Sequence, residues 1–83
     1  MKVYKYALNL MGNDIKLPVG ARILTVHEQN DEVVIWALVD PKAPLETRRF
    51  NIHPTGYSEV SGLETYIGTV HIGSFVWHVF EAI

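Results

Sequence analysis

Cysteine is missing altogether from the 83 residues, and that absence excludes every disulfide and every thiolate zinc site, the usual reinforcements of so small a domain. A chain of this length buries only about 60–65% of the surface it exposes when unfolded, so oligomerisation is the reinforcement left. No apolar run approaches the roughly 20 residues that a membrane helix requires, and no membrane partner is expected. The opening MKVYKYALNL is interrupted by tyrosines and a second lysine and lacks a small-residue cleavage site. It does not read as a signal peptide, and the cytoplasm is the expected compartment. Positive charge is also scarce: seven Lys and Arg stand against nine Asp and Glu, a net charge of −2. That balance argues against binding duplex DNA through bulk electrostatics, which leaves a strongly basic footprint. Neither a GxSxG elbow, nor a phosphate-cradling glycine loop, nor a carboxylate pair on one strand face is present. A general acid–base site built from His53, Glu59 or Asp40 has no pattern behind it, so a non-enzymatic protein without a cofactor is expected.

A hydrophobic fraction of 48% is normal for a folded domain and too high for disorder. Turn residues divide the chain at short intervals, and no window of a dozen residues holds a helical apolar period, so the reading is an all-β or mostly β domain over residues 1–83. It is expected to be a small antiparallel sheet or barrel-like unit of about six short strands. Lys2 to Leu10 alternates, with Tyr4, Tyr6, Leu8 and Leu10 facing a core. After Gly12-Asn13 comes the short run Ile15 to Leu17, then Pro18-Val19-Gly20, then a strand from Arg22 to Gln29. Asn30-Asp31 fits a two-residue hairpin loop, although it lacks the glycine that a type I′ turn prefers second. Asp40 to Pro44, with two prolines, is read as loop, Glu46 to His53 as strand and Pro54 to Leu63 as the longest irregular stretch. Thr65 to Ile72 and Phe75 to Glu81 flank Gly73-Ser74, where glycine in the first central position suits a type II′ turn.

The stretch Val33 to Val39 departs from alternation, being apolar at every position. A strand with one wet face alternates, so this one needs cover on both faces. With a two-residue turn at Asn30-Asp31, Leu24, Val26, Val33, Ile35 and Ala37 share one face, and Ile23, Thr25, His27, Val34, Trp36 and Leu38 the other. Val34, Trp36 and Leu38 are therefore the expected contact with a second subunit. The same register sets Arg22 opposite Val39.

Four segments together, WALVDP (Trp36–Pro41), RRF (Arg48–Phe50), YIGT (Tyr66–Thr69) and HVFE (His78–Glu81), resemble a family of short bacteriophage and prophage proteins of unknown function. The resemblance covers most of the chain. It implies a phage source and a compact β-rich fold and transfers no catalytic residues. With a phage source, the expected cytoplasm is that of the host cell. By analogy with small accessory phage proteins, it points to an anti-defence sponge that sequesters a cyclic-nucleotide immune signal.

The candidate ligand residues are Arg48, Arg49, Arg22, Tyr57 and His53. Consecutive residues in a strand project to opposite faces, so Arg48 and Arg49 cannot clamp one anion from a single sheet face. Symmetry between subunits, or Arg22, would have to complete the grip on a phosphate or carboxylate. The plainer reading makes these arginines an ordinary solvated edge, or pairs them with Glu46 and Asp40. Tyr57 follows Gly56 in the long loop, and His53 precedes Pro54 at its start. Trp36 and Trp77 are read as buried rather than as base-stacking platforms. His71 and His78 fall on one face of the last hairpin in diagonal positions, but no HxH or HExxH spacing supports a metal. The expected function is a homo-oligomer that binds a small anionic ligand, with a module that contacts a host or virion protein as the alternative.

Overall fold

Seven antiparallel strands and, among the described residues, no helix make up the chain in a computed structural model that describes residues 1–57 and 59–82. Ser58, within the loop expected over 54–63, and Ile83 lie outside the described residues. The strands are β1 (Lys2–Leu8), β2 (Asn13–Pro18), β3 (Arg22–Gln29), β4 (Glu32–Val39), β5 (Leu45–Pro54), β6 (Glu64–Ile72) and β7 (Phe75–Ala82). They form a three-stranded sheet of order β1-β4-β3 and a four-stranded sheet of order β2-β5-β7-β6. The all-β expectation holds. The short run Ile15–Leu17 proves to be the centre of a full seventh strand, β2.

Turn chemistry explains the hairpins. Asn30 and Asp31 take φ of 53° and 63°, the two left-handed residues of a type I′ turn, which Asn and Asp tolerate better than other side chains with a Cβ. The ladder then runs as a two-residue loop dictates, Gln29 opposite Glu32 and Val26 opposite Ile35. Gly73 takes φ of 60° and sets Thr69 opposite His78 and His71 opposite Val76.

The register expected for β3 and β4 fails at one point. A bulge between Ile23 and Thr25 sets Ile23 opposite Ala37 and Arg22 opposite Leu38. One extra residue in a strand reverses the facing of everything beyond it. Ile23 therefore packs against the core while Leu24 is exposed, the reverse of the alternation-based assignment, and Arg22 moves from opposite Val39 to opposite Leu38.

The core lies between the sheets. Leu8, Val26, Val33, Ile35, Ala37 and Val39 come from the three-stranded sheet and Leu17, Phe50, Ile52, Val70 and Val79 from the other, all buried. Leu10, expected to face this core, lies past the end of β1 and is exposed. β1 is an edge strand, so Tyr4 near its outer end is also exposed.

The edges β3 and β6 lie against each other. A Cβ at Gly68 would come within 2.5 Å of Val26 Cγ1, so the absence of a side chain there permits the approach. Each strand carries a bulge near the contact, at Ile23/Thr25 in β3 and at Tyr66/Gly68 in β6, and bulges bend a strand.

Candidate functional site

The two consecutive arginines have opposite fates. Arg48 shares the inner face of β5 with Phe50 and Ile52, and Glu81 lies opposite Phe50 in β7. The two charges are thus diagonal neighbours across the ladder. Arg48 Nε and Nη2 donate to the two carboxylate oxygens of Glu81 at 2.5 and 2.8 Å, and Nη1 donates to the carbonyl of Ala21 at 2.5 Å. Both side chains are 19% exposed. The hydrogen bond to Glu81 holds the guanidinium charged above its ordinary range, against the opposing effect of burial. Arg48 is therefore an internal tie between β5, β7 and the segment before β3. In place of a solvated edge, or of a pairing with Glu46 or Asp40, Arg48 meets Glu81, because β7 brings a carboxylate from 33 residues away.

Arg49 points to the outer face of the four-stranded sheet and is 44% exposed. Its Nε donates to Asn51 Oδ1 at 3.0 Å, and its Nη1 stands 3.6 Å from Asp14 Oδ1, across the ladder in β2. The guanidinium lies over Gly12, where any Cβ would collide with Nη2. Gly12 has φ of 107°, a conformation that also favours glycine. The β1–β2 turn therefore backs the guanidinium, and Asn51 orients it. Arg22, opposite Leu38 on the outer face of the other sheet, does not join it. The fold sends the three arginines in three directions.

Asn51 and His53 follow Arg49 at two-residue steps on the same face of β5. Glu64, at the start of β6, accepts from Asn51 Nδ2 at 2.9 Å, pairs with His53 Nε2 at 3.0 Å and accepts from the Ser61 backbone N–H at 2.9 Å. These bonds, that from His53 foremost, hold the Glu64 carboxyl below the usual carboxylate range against the opposing effect of burial. Beside it, His78 contacts the hydroxyls of Thr55 (2.7 Å) and Thr69 (3.0 Å), and Thr69 contacts the Tyr66 hydroxyl (2.5 Å). Phe80 packs edge-on against His53 and Tyr66, with ring centroids 5.5 and 5.4 Å apart. In the sequence His53 is singled out only for its place before Pro54, and Asn51 is missed, although a period of two from Arg49 puts both on its face. No local pattern signals Glu64, Thr69 or Thr55, whose roles depend on which strands become neighbours. No group of three or more His, Asp and Glu side chains among the described residues is placed to hold a metal ion.

Tyr57 is 84% exposed and, with Phe75, Pro54, Thr55, Ser74 and Val76, lines an open cleft of about 340 Å³. A larger open cleft, about 490 Å³, lies elsewhere, bordered by Ala7–Leu10, Asn13, Asp31–Val33 and Ile72. Its charged residues are acidic. The doubly apolar strand is β4, the centre of its sheet. Val33, Ile35, Ala37 and Val39 face the core, and of the outward set Val34 is only 3% exposed within the single chain, flanked by Ala7 and His27. Trp36 and Leu38 remain half-buried. Trp36 donates its indole N–H to His27 Nδ1 at 3.1 Å, and Lys5 Nζ lies 5.9 Å from its ring centroid. Neighbouring strands thus supply much of the cover that this face requires.

A family model described as Domain of unknown function (DUF7352) matches residues 1–83. No curated protein and no solved structure matches the chain.

Proposed function

We propose that this chain, which belongs to the family described as Domain of unknown function (DUF7352), is a non-enzymatic accessory protein that binds a small anionic ligand as a homo-oligomer. Arg49 is the anchor, beside a subunit boundary. One observation carries the reading: Arg49 presents an exposed guanidinium that is held in place before any ligand arrives, oriented by Asn51 and backed by Gly12. A planar, oriented guanidinium takes a phosphate or carboxylate bidentately, and prior ordering lowers the entropic cost of binding. The nearest opposing carboxylate, Asp14, is a long contact of 3.6 Å between exposed groups, which an incoming dianion would displace at little cost. Arg49 also sits by the turn that joins β1 to β2, each an edge strand of its sheet, so a second subunit on this side would wall the ligand in. The resemblance of WALVDP, RRF, YIGT and HVFE to short phage proteins makes a cyclic-nucleotide immune signal, taken up in the host cytoplasm, the first ligand class to try.

Calorimetry against cyclic di- and trinucleotides and cyclic ADP-ribose isomers tests the reading. One of them is expected to bind, and Arg49→Ala to weaken it at least about tenfold, or about 1.4 kcal/mol. Silence across the panel, or binding indifferent to Arg49→Ala, would sink it.

A further inference from the structure

We infer that the open edge of β1 is a docking site for the β1 of a second copy, which inserts its Lys2 into the acidic cleft of the first. The inference rests on the oligomer half of the proposed function and is independent of the ligand half.

The two sheets have four edges, β1 and β3 in one, β2 and β6 in the other. β3 and β6 lie against each other and are bent by bulges. β2 ends in Pro18, which has no N–H to offer a new strand. β1 alone is left without such protection: seven residues with no proline and an unshifted register against β4. Its outward N–H and C=O groups are a template for another strand. An edge of this kind is commonly guarded by a lysine. Lys5 is placed to do so, yet its Nζ is drawn across its own sheet to Gln29 Oε1 at 2.7 Å and over Trp36.

A two-fold axis at Lys5 pairs all seven residues of β1 with those of the copy and keeps core faces with core faces. Drawing each Lys5 ammonium towards its own Gln29 separates the two charges that this register brings opposite each other. In the same register the partner's Lys2 falls opposite Leu8, on the same side of the sheet. Leu8 borders the larger cleft, whose lining, among the described residues, includes Asp31 of the β3–β4 turn and no Lys or Arg. Glu32, also in its lining, shares the parity of Val34 on the outer face of β4. The partner's Lys2 supplies the missing charge, twice over by symmetry, and the paired sheets become one of six strands.

Sedimentation equilibrium is expected to show a dimer. Lys2→Glu and Asp31→Asn should each raise its dissociation constant at least about tenfold, and Lys2→Glu should change it by no more than about threefold when Asp31→Asn is already present. In the unaltered protein, hydrogen exchange should show protection of β1 amides that rises with protein concentration. A dimer insensitive to both single substitutions, with β1 amides exchanging at a concentration-independent rate, overturns the edge site while leaving an oligomer intact. A monomer at every concentration overturns both. If a substituted variant fails to fold, the exchange measurement on the parent decides.

Discussion

Arg48 and Arg49 show how little residue type says without orientation. Both carry the same side chain on the same strand, yet one is spent inside the molecule and the other stands in solvent. Removing one partner of a largely buried pair leaves the other charge without compensation. Arg48→Ala should therefore lower the unfolding free energy by about 2–4 kcal/mol, read as a fall in the urea midpoint. Arg48→Lys should recover little, because an ammonium cannot reproduce a contact made to both oxygens of Glu81 and to a backbone carbonyl. Arg49→Ala, by contrast, should change stability by no more than about 0.5 kcal/mol, so its effect on ligand binding is not confused with unfolding. That Arg48 and Arg49 diverge was legible from strand alternation. The inward turn of Arg48 follows from the same period, since it shares the parity of Phe50 and Ile52. What no local pattern shows is Glu81, which only the β5–β7 pairing brings alongside.

At the scale of the elements, the contact between β3 and β6 departs most from what local pattern anticipates. The Asn30-Asp31 turn set the β3–β4 ladder correctly from Gln29 to Thr25, because turn geometry acts over a few residues. Beyond Thr25 the bulge took over, and Ile23 and Leu24 exchanged faces. The strands bend where β6 approaches at Gly68, and no sequence motif announces that approach. Gly68→Ala should cost about 1–3 kcal/mol through overpacking against Val26, whose β-branched side chain has little rotamer freedom to yield. In a double-mutant cycle with Val26→Ala, the combined loss should fall short of the sum of the single losses. Additivity would mean that the close approach carries no strain once alanine is present.

For the whole molecule, Glu64 links chain segments that sequence distance keeps apart: β5 through Asn51 and His53, the preceding loop through Ser61, and its own β6. Its carboxyl titrates below the ordinary value of 4.5 in the folded chain, so between those two values the unfolded state binds more protons than the folded one. The stabilisation is fully present above 4.5 and is lost as pH falls through the lower folded value. Melting temperatures recorded from pH 6 downwards should fall in the acid range, and Glu64→Gln should make that fall shallower. An acid limb unchanged by Glu64→Gln would assign the acid sensitivity to other carboxylates.

By itself the sequence determined the all-β class, most strand limits, two hairpin turns and the separation of Arg48 from Arg49. These follow from turn residues, a period of two and the chain's own geometry, all of which act between near neighbours. Only the tertiary structure decided that β2 is a full strand against β5, that Arg48 belongs to Glu81, that Val34 is buried by its own sheet and that β1 is left with an open edge. Each of these depends on which strands lie side by side, and burial is a property of the assembled sheets rather than of any one segment.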